Sequence, residues 1–390
     1  MKHLFALDPD VTFLNHGSFG ACPRAVLAAQ QALRERLERE PVHFFNRLYE
    51  PLLDAARDTL ARFVGARPDD VVSVTNATTA VNAVLRSFPF SPQDELLLTS
   101  HGYNACTNAA RFVAERTGAH VVVAEVPFPV SSAAQVVEAV LAAVTPRTRL
   151  ALIDHVTSPT AVVFPLGDLV RALEARGVAV LVDGAHAPGQ VPLSLDALGA
   201  SYFTGNLHKW VCAPKGAAFL HARRDRQAQL RPTTISHGAN AVRPGRSRFL
   251  LEFDWQGTHD PTPFLTVPAA LTEVGAMVPG GWDEVIRRNQ ALVRQMRAAL
   301  LEALGTAPAV PEALLGTMAT VVLPSTGEVP RVPFGVGVAL DPLQDALWET
   351  ERIEVPVITF AGQRCVRVSA HLHSTLDDAK KLAGALRRLL

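Results

Sequence analysis

Short apolar segments alternate with helical segments between residues 71 and 222, and this alternation limits the possible folds more than any other feature. Segments such as Val71–Thr75, Glu95–Thr99 and Ala179–Val182 consist mainly of apolar residues, which is typical of strands that are covered on both faces. The stretches between them carry apolar residues at helical spacing. The pattern predicts an α/β fold with a large, mainly parallel sheet between two layers of helices.

The same reading assigns elements along the whole chain. A short strand is expected at the start of 12–23, and further strands near 71–75, 95–99, 120–124, 150–155, 179–182, 200–204, 216–220, 318–323, 336–340 and 365–369. Helices are expected at 24–40, 45–64, 80–87, 105–117, 132–144, 166–176, 268–277, 282–305 and 376–389. Residues 223–262 are rich in arginine and predict little regular structure. We expect a large domain over 20–265, and a smaller α+β domain from 1–19 together with 266–390.

The composition excludes several classes of function. The 37 basic and 37 acidic residues balance, so the chain lacks the overall positive charge of a nucleic-acid-binding protein. It has no apolar run of about 18 residues that would cross a membrane. The four cysteines are scattered without a CxxC spacing, which predicts reduced, buried thiols and no metal site. We therefore expect a soluble, cytoplasmic protein.

A lysine and an aspartate point to a specific chemistry. Lys209 lies in an apolar segment that glycines interrupt, and on its own it would be a surface residue. Asp183 precedes it by 26 residues (209 − 183) and ends an apolar strand. The carboxyl ends of strands are where open α/β sheets bind ligands. This order is the one that pyridoxal phosphate requires, because the aspartate keeps the pyridine nitrogen protonated and the lysine forms a Schiff base (an aldimine) with the aldehyde.

Further segments supply candidate contacts for such a cofactor. The turn TNATT (75–79) lies between a strand and a helix, where hydroxyl and backbone N–H groups bind phosphate, although the turn taken alone favours an ordinary helix N-cap at Asn76 or Thr78. His101 and Tyr103, in the loop SHGYNA, are alternative stacking partners for the ring. His186 is placed to reach the ring hydroxyl, and His208 to contact the phosphate or assist proton transfer.

Arg367 is the candidate group for binding a substrate carboxylate. It lies in the predicted strand of RCVRVSAHLHST, where the alternative interpretation is a surface arginine on an edge strand. A guanidinium binds a carboxylate through two parallel hydrogen bonds, and so fixes the orientation of an amino acid. The expected substrate is therefore small and amino-acid-like.

An ordered set of motifs resembles one enzyme family. They are FLNHGSFGACP (13–23), TNATTAVN (75–82), HGYNA (101–105), HVTSPTAVVFP (155–165), VDGAHAPGQ (182–190), YFTGNLHKWVCAPKGAAFL (202–220), GTHD (257–260) and RVSAHLHST (367–375). Together they resemble the class V aminotransferase-type enzymes of pyridoxal phosphate fold type I, and within them the isopenicillin N epimerase-like branch. The resemblance implies an aspartate aminotransferase-like fold with a seven-stranded type of sheet.

The resemblance also implies roles for individual residues. Lys209, Asp183 and His186 match the catalytic residues; the resemblance favours Tyr103 over His101 for stacking. The implied phosphate contacts are Thr78, Thr79, Asn206 and His208, and Thr258 matches a residue that reaches the phosphate of a neighbouring subunit. That last match implies a homodimer with shared active sites. The implied substrate contacts are Arg367, Asn15, His16 and Ser158.

Four activities are compatible with this scaffold. The first is epimerisation or racemisation at the α-carbon of an amino acid, which needs proton delivery to both faces. The second is cleavage of a C–S or C–C bond, although Cys365 lies in a strand and not on the mobile loop that a cysteine desulfurase requires. The third is transamination. The fourth, a non-enzymatic binding module, is disfavoured because such a module need not keep Lys209 and Asp183.

Overall fold

The structure is a computed structural model that describes residues 1–324 and 340–390. Its strands are β1 (Thr12–Phe13), β2 (Val71–Val74), β3 (Glu95–Thr99), β4 (His120–Ala124), β5 (Thr148–Asp154), β6 (Ala179–Asp183), β7 (Tyr202–Asn206), β8 (Ala218–Ala222), β9 (Met318–Val322), β10 (Ile353–Glu354), β11 (Val357–Phe360) and β12 (Gln363–Ser369).

Fifteen α-helices are found within the same described residues. They are α1 (Arg24–Arg39), α2 (Pro41–His43), α3 (Tyr49–Val64), α4 (Ala77–Ser87), α5 (Asn104–Thr117), α6 (Ala133–Ala142), α7 (Leu166–Glu174), α8 (Leu195–Leu198), α9 (Arg224–Gln227), α10 (Arg248–Asp254), α11 (Thr262–Leu265), α12 (Val267–Gly275), α13 (Gly281–Leu304), α14 (Pro342–Glu351) and α15 (Leu376–Leu389). None of them is long and apolar enough to cross a membrane.

A seven-stranded sheet forms the centre of the molecule, in the order β2-β8-β7-β6-β5-β3-β4. Only β8 runs antiparallel to its neighbours β2 and β7. The strands β2, β6 and β7 therefore end at the same edge of the sheet. Parallel strands present their carboxyl ends, and the loops that follow, on one side. The predicted large, mainly parallel sheet is confirmed.

Helices cover both faces of this sheet because alternate strand residues point to opposite sides. In β3, Leu96 and Leu98 pack on one face together with α4, α5 and α10. Leu97 packs on the other face, whose core includes α3, α6 and α7. All five residues of β3 are buried, which explains why its sequence lacks the polar alternation of a half-exposed strand.

A smaller C-terminal domain contains an antiparallel sheet in the order β11-β12-β9. Helices α13 and α15 pack against each other beside it. The N-terminal strand β1 pairs in parallel with β10, so the first residues of the chain join the C-terminal part. This pairing agrees with the expectation that 1–19 belongs with 266–390, although the exact boundaries stay a prediction.

Two predictions of local structure differ from what is observed, and a third is not tested. Helix α4 begins at Ala77 and not at 80, because the Asn76 side chain caps it and accepts the N–H of Thr79 at 2.8 Å. Helix α10 lies within the arginine-rich segment that was expected to be irregular, and it buries Phe249 and Phe253. The predicted strand 336–340 falls, except for its last residue, outside the described residues.

Candidate active site

Lys209 and His186 meet at the edge of the sheet where β6 and β7 end. The Nζ atom of Lys209 lies 3.1 Å from Nε2 of His186, and the indole N–H of Trp210 donates to Nδ1 of that imidazole at 3.4 Å. A neutral histidine that accepts at Nδ1 carries its proton on Nε2, so His186 donates to the lysine amine. Burial and the guanidinium of Arg367 lower the pKa of Lys209 to about 7. The amine is therefore often unprotonated and nucleophilic at neutral pH.

His186 itself is held in its neutral form. It is 2% exposed, and burial, followed by the positive charges of Lys209 and Arg367, lowers its pKa well below the usual range. The side-chain amide of Gln190 donates to its backbone carbonyl at 2.8 Å. The imidazole is thus fixed in one orientation and one tautomer beside the lysine.

Two carboxyl groups stand side by side at the ends of β5 and β6. Asp183 accepts the N–H of Ala185 at 3.0 Å and the thiol of Cys106 at 3.2 Å. Asp154 is its direct neighbour in the strand register. Burial and the charge of Asp183 raise the pKa of Asp154 well above its usual range. Asp154 therefore holds a proton more strongly than an ordinary carboxyl group, and Asp183, which accepts a backbone N–H, is the group suited to face a cation.

The predicted phosphate turn lies at the N-terminus of α4, at the same edge. Thr78 and Thr79 are half-buried there. The side chain of Asn206, at the end of β7, accepts the N–H of Ala77 at 2.9 Å and so ties the turn to the strand that leads to Lys209. The start of a helix carries a partial positive charge and N–H groups that favour an anion.

Arg367 is wholly buried in β12, which excludes the surface arginine that was the alternative. One Nη of its guanidinium donates to the backbone carbonyl of Ser158, and also to the Ser158 hydroxyl at 3.2 Å. The other Nη donates to the hydroxyl of Ser18 at 2.9 Å. These contacts are with neutral oxygens, and burial lowers the pKa of Arg367 to about 10. Because the Ser158 hydroxyl accepts a hydrogen bond from Arg367, the Ser158 side chain fixes the position of the guanidinium, in addition to any contact with substrate.

The structure separates the two candidates for ring stacking. His101 is fully buried, with its nitrogens bonded to the Thr160 hydroxyl at 2.7 Å and the carbonyl of Val126 at 3.1 Å. Its ring lies 4.7 Å from that of Phe360. Tyr103 is half-buried, and its pKa is raised by burial and by the nearby Cys106 and Asp183. This geometry favours Tyr103, which stays a prediction.

Four other predicted site residues have different surroundings. Asn15 donates to the carboxylate of Glu354 at 2.8 Å. His16 is bonded to His373 and to the backbone carbonyl of Lys209, so neither of its nitrogens points at the predicted substrate position. His208 donates from Nδ1 to a backbone carbonyl at 3.0 Å, which leaves its Nε2 for another partner. Thr258 is exposed in the loop before α11.

Sequence reasoning did not select several residues that complete the site. Ser18, Cys106, Asp154 and Trp210 contact Arg367, Asp183 or His186 as described above. Ser18 and Trp210 lie inside motifs that were singled out, NHGSFG and NLHKW, so their position in those motifs was an available signal. Nothing local marks Cys106, because a buried cysteine is common in any core.

These residues fit pyridoxal phosphate. A lysine with a near-neutral pKa, a carboxylate at a strand end and the half-buried hydroxyls of a helix start occupy one edge of the sheet. Lys209 would bind the aldehyde, Asp183 the pyridine nitrogen, and Thr78 and Thr79 the phosphate. Tyr103 would stack on the ring.

Comparisons with known proteins agree with this assignment. Residues 14–322 match the sequence profile of the family Aminotransferase class-V. Isopenicillin N epimerase of Amycolatopsis lactamdurans is 36% identical, over 98% of this chain and 96% of that protein. A probable chloroplastic L-cysteine desulfhydrase of Arabidopsis thaliana is 32% identical, over 98% of this chain and 84% of that protein.

Solved structures share the fold at lower identity. The cystine C–S lyase C-DES, in complex with its product cysteine persulfide, superposes with a TM-score of 0.79 at 22% identity, over 97% of each chain. The cysteine desulfurase CsdA of Escherichia coli superposes with a TM-score of 0.77 at 18% identity, over 99% of this chain and 96% of that one. The predicted fold type is therefore confirmed.

Proposed function

The chain belongs to the class V aminotransferase family of pyridoxal-phosphate-dependent enzymes, and we propose that it removes and returns the α-proton of an amino-acid-like substrate, as an epimerase or racemase. The observation that carries the proposal is the contact between the Lys209 amine and His186, beside the buried Arg367. The pKa of this amine is about 7. An amine with such a pKa is an effective base at neutral pH.

Each residue has a defined task. When bound, pyridoxal phosphate supplies a carbonyl that condenses with amines and a ring that draws electrons from the α-carbon. Arg367, fixed by Ser18 and Ser158, binds the substrate carboxylate and orients the α-hydrogen. Lys209 takes the proton at Nζ, while the Nε2–H of His186 orients the amine.

Epimerisation also needs a second proton carrier. The phenol of Tyr103 is the candidate, because it lies close enough to Asp183 and Arg367 for their charges to affect its pKa. Burial keeps that pKa above the usual value, so the hydroxyl retains its proton and can donate it. The similarity to isopenicillin N epimerases supports this reaction as the first choice.

Cleavage of a C–S bond is the second candidate, and the L-cysteine desulfhydrases among the relatives favour it. It begins with the same removal of the α-proton by Lys209. Desulfuration through a protein persulfide is not supported, because all four cysteines lie in the described residues and are buried. Burial raises the pKa of Cys365 to about 12 and that of Cys22 to about 11, so neither provides a reactive thiolate. Transamination is the third candidate.

We also propose a homodimer in the cytoplasm. The exposed loop that carries Thr258 supports this assembly, because a hydroxyl on that loop is available to the phosphate site of a second subunit. Sedimentation at micromolar concentration tests it. A monomer that keeps full activity would contradict the shared active site.

One experiment separates the candidate reactions. The cofactor-loaded enzyme is incubated in D2O with L- and D-amino acids and with cysteine derivatives. We expect α-deuteration with inversion and no keto acid. Release of sulfide and pyruvate without inversion would establish the lyase instead, and keto acid without sulfide would establish a transaminase. Lys209→Ala should lose the visible absorbance of the lysine-bound cofactor; a variant that keeps it would disprove the assignment of Lys209.

A further inference from the structure

Three buried histidines from opposite ends of the chain pack behind the loop that carries Lys209. His16 comes from the motif NHGSFG, and His371 and His373 come from AHLHST. The rings of His16 and His371 are stacked with centroids 4.2 Å apart. All three are at most 4% exposed. None of them has a task in the reaction described above.

His16, His371 and His373 form a histidine cluster, and its hydrogen bonds determine which ring nitrogens of His16 and His373 carry the proton. Nε2 of His16 lies 3.0 Å from the carbonyl oxygen of Lys209, and a carbonyl only accepts, so Nε2 carries the proton. Nδ1 of His16 then accepts, and Nε2 of His373 donates to it at 2.9 Å. Nδ1 of His373 accepts from the hydroxyl of Ser374 at 3.3 Å. The chain of bonds thus ends in a donor aimed at the backbone of Lys209.

His371 makes the equivalent contact one residue further along. Its Nε2 lies 3.2 Å from the carbonyl oxygen of Trp210, so it also donates. Two consecutive carbonyls of the lysine loop are therefore held by two stacked imidazoles. Phe5 closes the cluster from the N-terminal side, with its ring centroid 5.1 Å from that of His373 in an edge-on arrangement.

The loop itself needs such support. The N–H of Cys212 donates back to the carbonyl of Lys209 at 3.0 Å, which forms a tight turn. Cys212 adopts a left-handed backbone conformation with φ of 60°, which is unfavourable for a residue with a side chain. Strain of this kind persists where the surroundings hold the backbone, and it is concentrated at functional sites.

A shared metal ion does not explain the cluster. The Sγ of Cys212 lies 3.7 Å from Nε2 of His16 and 3.5 Å from Nε2 of His371, which are separations that a metal would also give. The two imidazole planes, however, are only 14° apart. The lone pair of an imidazole lies in the ring plane, so two stacked rings direct their lone pairs side by side and not at one ion.

We propose that His16 and His371 are positioning residues, whose Nε2–H groups hold the carbonyls of Lys209 and Trp210 and so place the lysine amine beside His186. The cluster stays neutral because burial and the mutual repulsion of its members lower the pKa of His16 well below its usual range, and burial lowers that of His371 to about 4. The inference rests on the proposed role of Lys209. It explains why a histidine that was expected to touch substrate faces the backbone instead.

The test compares two amide substitutions of the same residue. Asparagine places its amide near the position of Nδ1, and glutamine near that of Nε2, so only His16→Gln keeps a donor toward Lys209. We expect His16→Asn to weaken cofactor binding about tenfold, the order of one lost hydrogen bond, and to change the visible circular dichroism of the bound cofactor. His16→Gln should restore both.

His221 supplies the matched control. His221 is a buried histidine in β8, and it lies at the edge of the sheet opposite to the edge that carries Lys209. His221→Asn should therefore lower the melting temperature without changing the cofactor signal. Equal signals from His16→Asn and His221→Asn would overturn the proposal, as would a failure of glutamine to rescue, or one equivalent of metal in the purified protein. If His16→Asn does not fold, His371→Asn and His371→Gln provide the same comparison at Trp210.

Failure of this inference is distinguishable from failure of the proposed function. If Lys209→Ala keeps the visible band, Lys209 is not the cofactor lysine and both fall. If Lys209→Ala loses the band while His16→Asn keeps a normal cofactor signal, only the positioning role is disproved.

Discussion

At the scale of the residue, Asp154 and Asp183 show how position changes the chemistry of one side chain. Both end a strand at the same edge and are 4% exposed. Asp183 is stabilised by the N–H of Ala185 and the thiol of Cys106. The pKa of Asp154 is raised by burial and by its neighbour. Two adjacent carboxyl groups cannot both ionise cheaply in a buried site, which is why the charge of Asp183 raises the pKa of Asp154.

Replacing each aspartate by asparagine should therefore change the activity to very different extents. Asp154→Asn substitutes a neutral group for a carboxyl group whose raised pKa favours its neutral form, and we expect normal cofactor absorbance with activity within about threefold of the parent enzyme. Asp183→Asn removes the carboxylate that we propose faces the cofactor nitrogen, and we expect activity to fall by about two to three orders of magnitude. Steady-state kinetics and absorbance check both. Equal losses in the two variants would contradict the assignment.

At the scale of the element, the residue that caps helix α4 also orients a side chain that is proposed to bind the phosphate. The side chain of Asn76 accepts both the N–H and the hydroxyl of Thr79, at 2.8 and 3.1 Å. One residue therefore starts the helix and orients a proposed phosphate contact. Helix α15 begins with a comparable cap at Thr375, which forms a reciprocal pair with Asp378, but it lies in the C-terminal domain.

The two caps provide a controlled comparison. Asn76→Ala and Thr375→Ala should each lower the free energy of unfolding by about 1 kcal/mol, the usual value of an N-cap. Only Asn76→Ala should also weaken cofactor binding, because Thr79 loses its orientation. Equilibrium dialysis with the cofactor and thermal unfolding measure the two effects. Unchanged cofactor affinity in Asn76→Ala would place the phosphate elsewhere.

Helices and strands were predictable from the sequence where the pattern of apolar residues is clear along the whole element. Strand β3 is buried throughout and has three consecutive leucines at its centre, and its limits agree with the prediction. Helix α15 is strongly amphipathic and also agrees. Helix α10 was missed, because its arginine-rich surroundings mask the short apolar pattern that buries Phe249 and Phe253. Strand β11 is only four residues long and half-exposed at one end, so it lacks a clear period.

At the scale of the whole molecule, burial keeps most histidines neutral. Eight of the thirteen histidines have a pKa below the usual value, with burial as the largest cause in each case. They are His16, His101, His155, His186, His208, His221, His371 and His373. For His101, His155, His208 and His371 the pKa lies at about 4.

This distribution predicts an acid-sensitive fold. Below a pH of about 6.5 the unfolded chain binds protons at these histidines while the folded protein does not. For the four histidines with a pKa of about 4, the free energy of unfolding should therefore fall as the pH falls from about 6.5 to about 4, by up to about 1.4 kcal/mol per pH unit for each histidine. Urea unfolding at pH 7 and pH 5, with constant cofactor, measures it.

Single substitutions check the origin of that slope. His155→Gln removes one of the buried histidines. The slope of the free energy of unfolding against pH should therefore decrease by the contribution of one proton. His259→Gln, at an exposed position, should leave it unchanged. A free energy of unfolding that is the same at pH 7 and pH 5 would show that the histidines titrate in the folded state.

The sequence by itself determined the features that are local along the chain. Apolar runs gave the strands of the large sheet, and the placement of Asp183 and Lys209 after two of them indicated the cofactor chemistry, because strand ends of a parallel sheet meet at one edge. The tertiary structure decided which distant groups meet. His16 contacts His373 across 357 positions, and Ser18 contacts Arg367 across 349. Such contacts depend on the path of the folded chain, which no local period of apolar residues encodes.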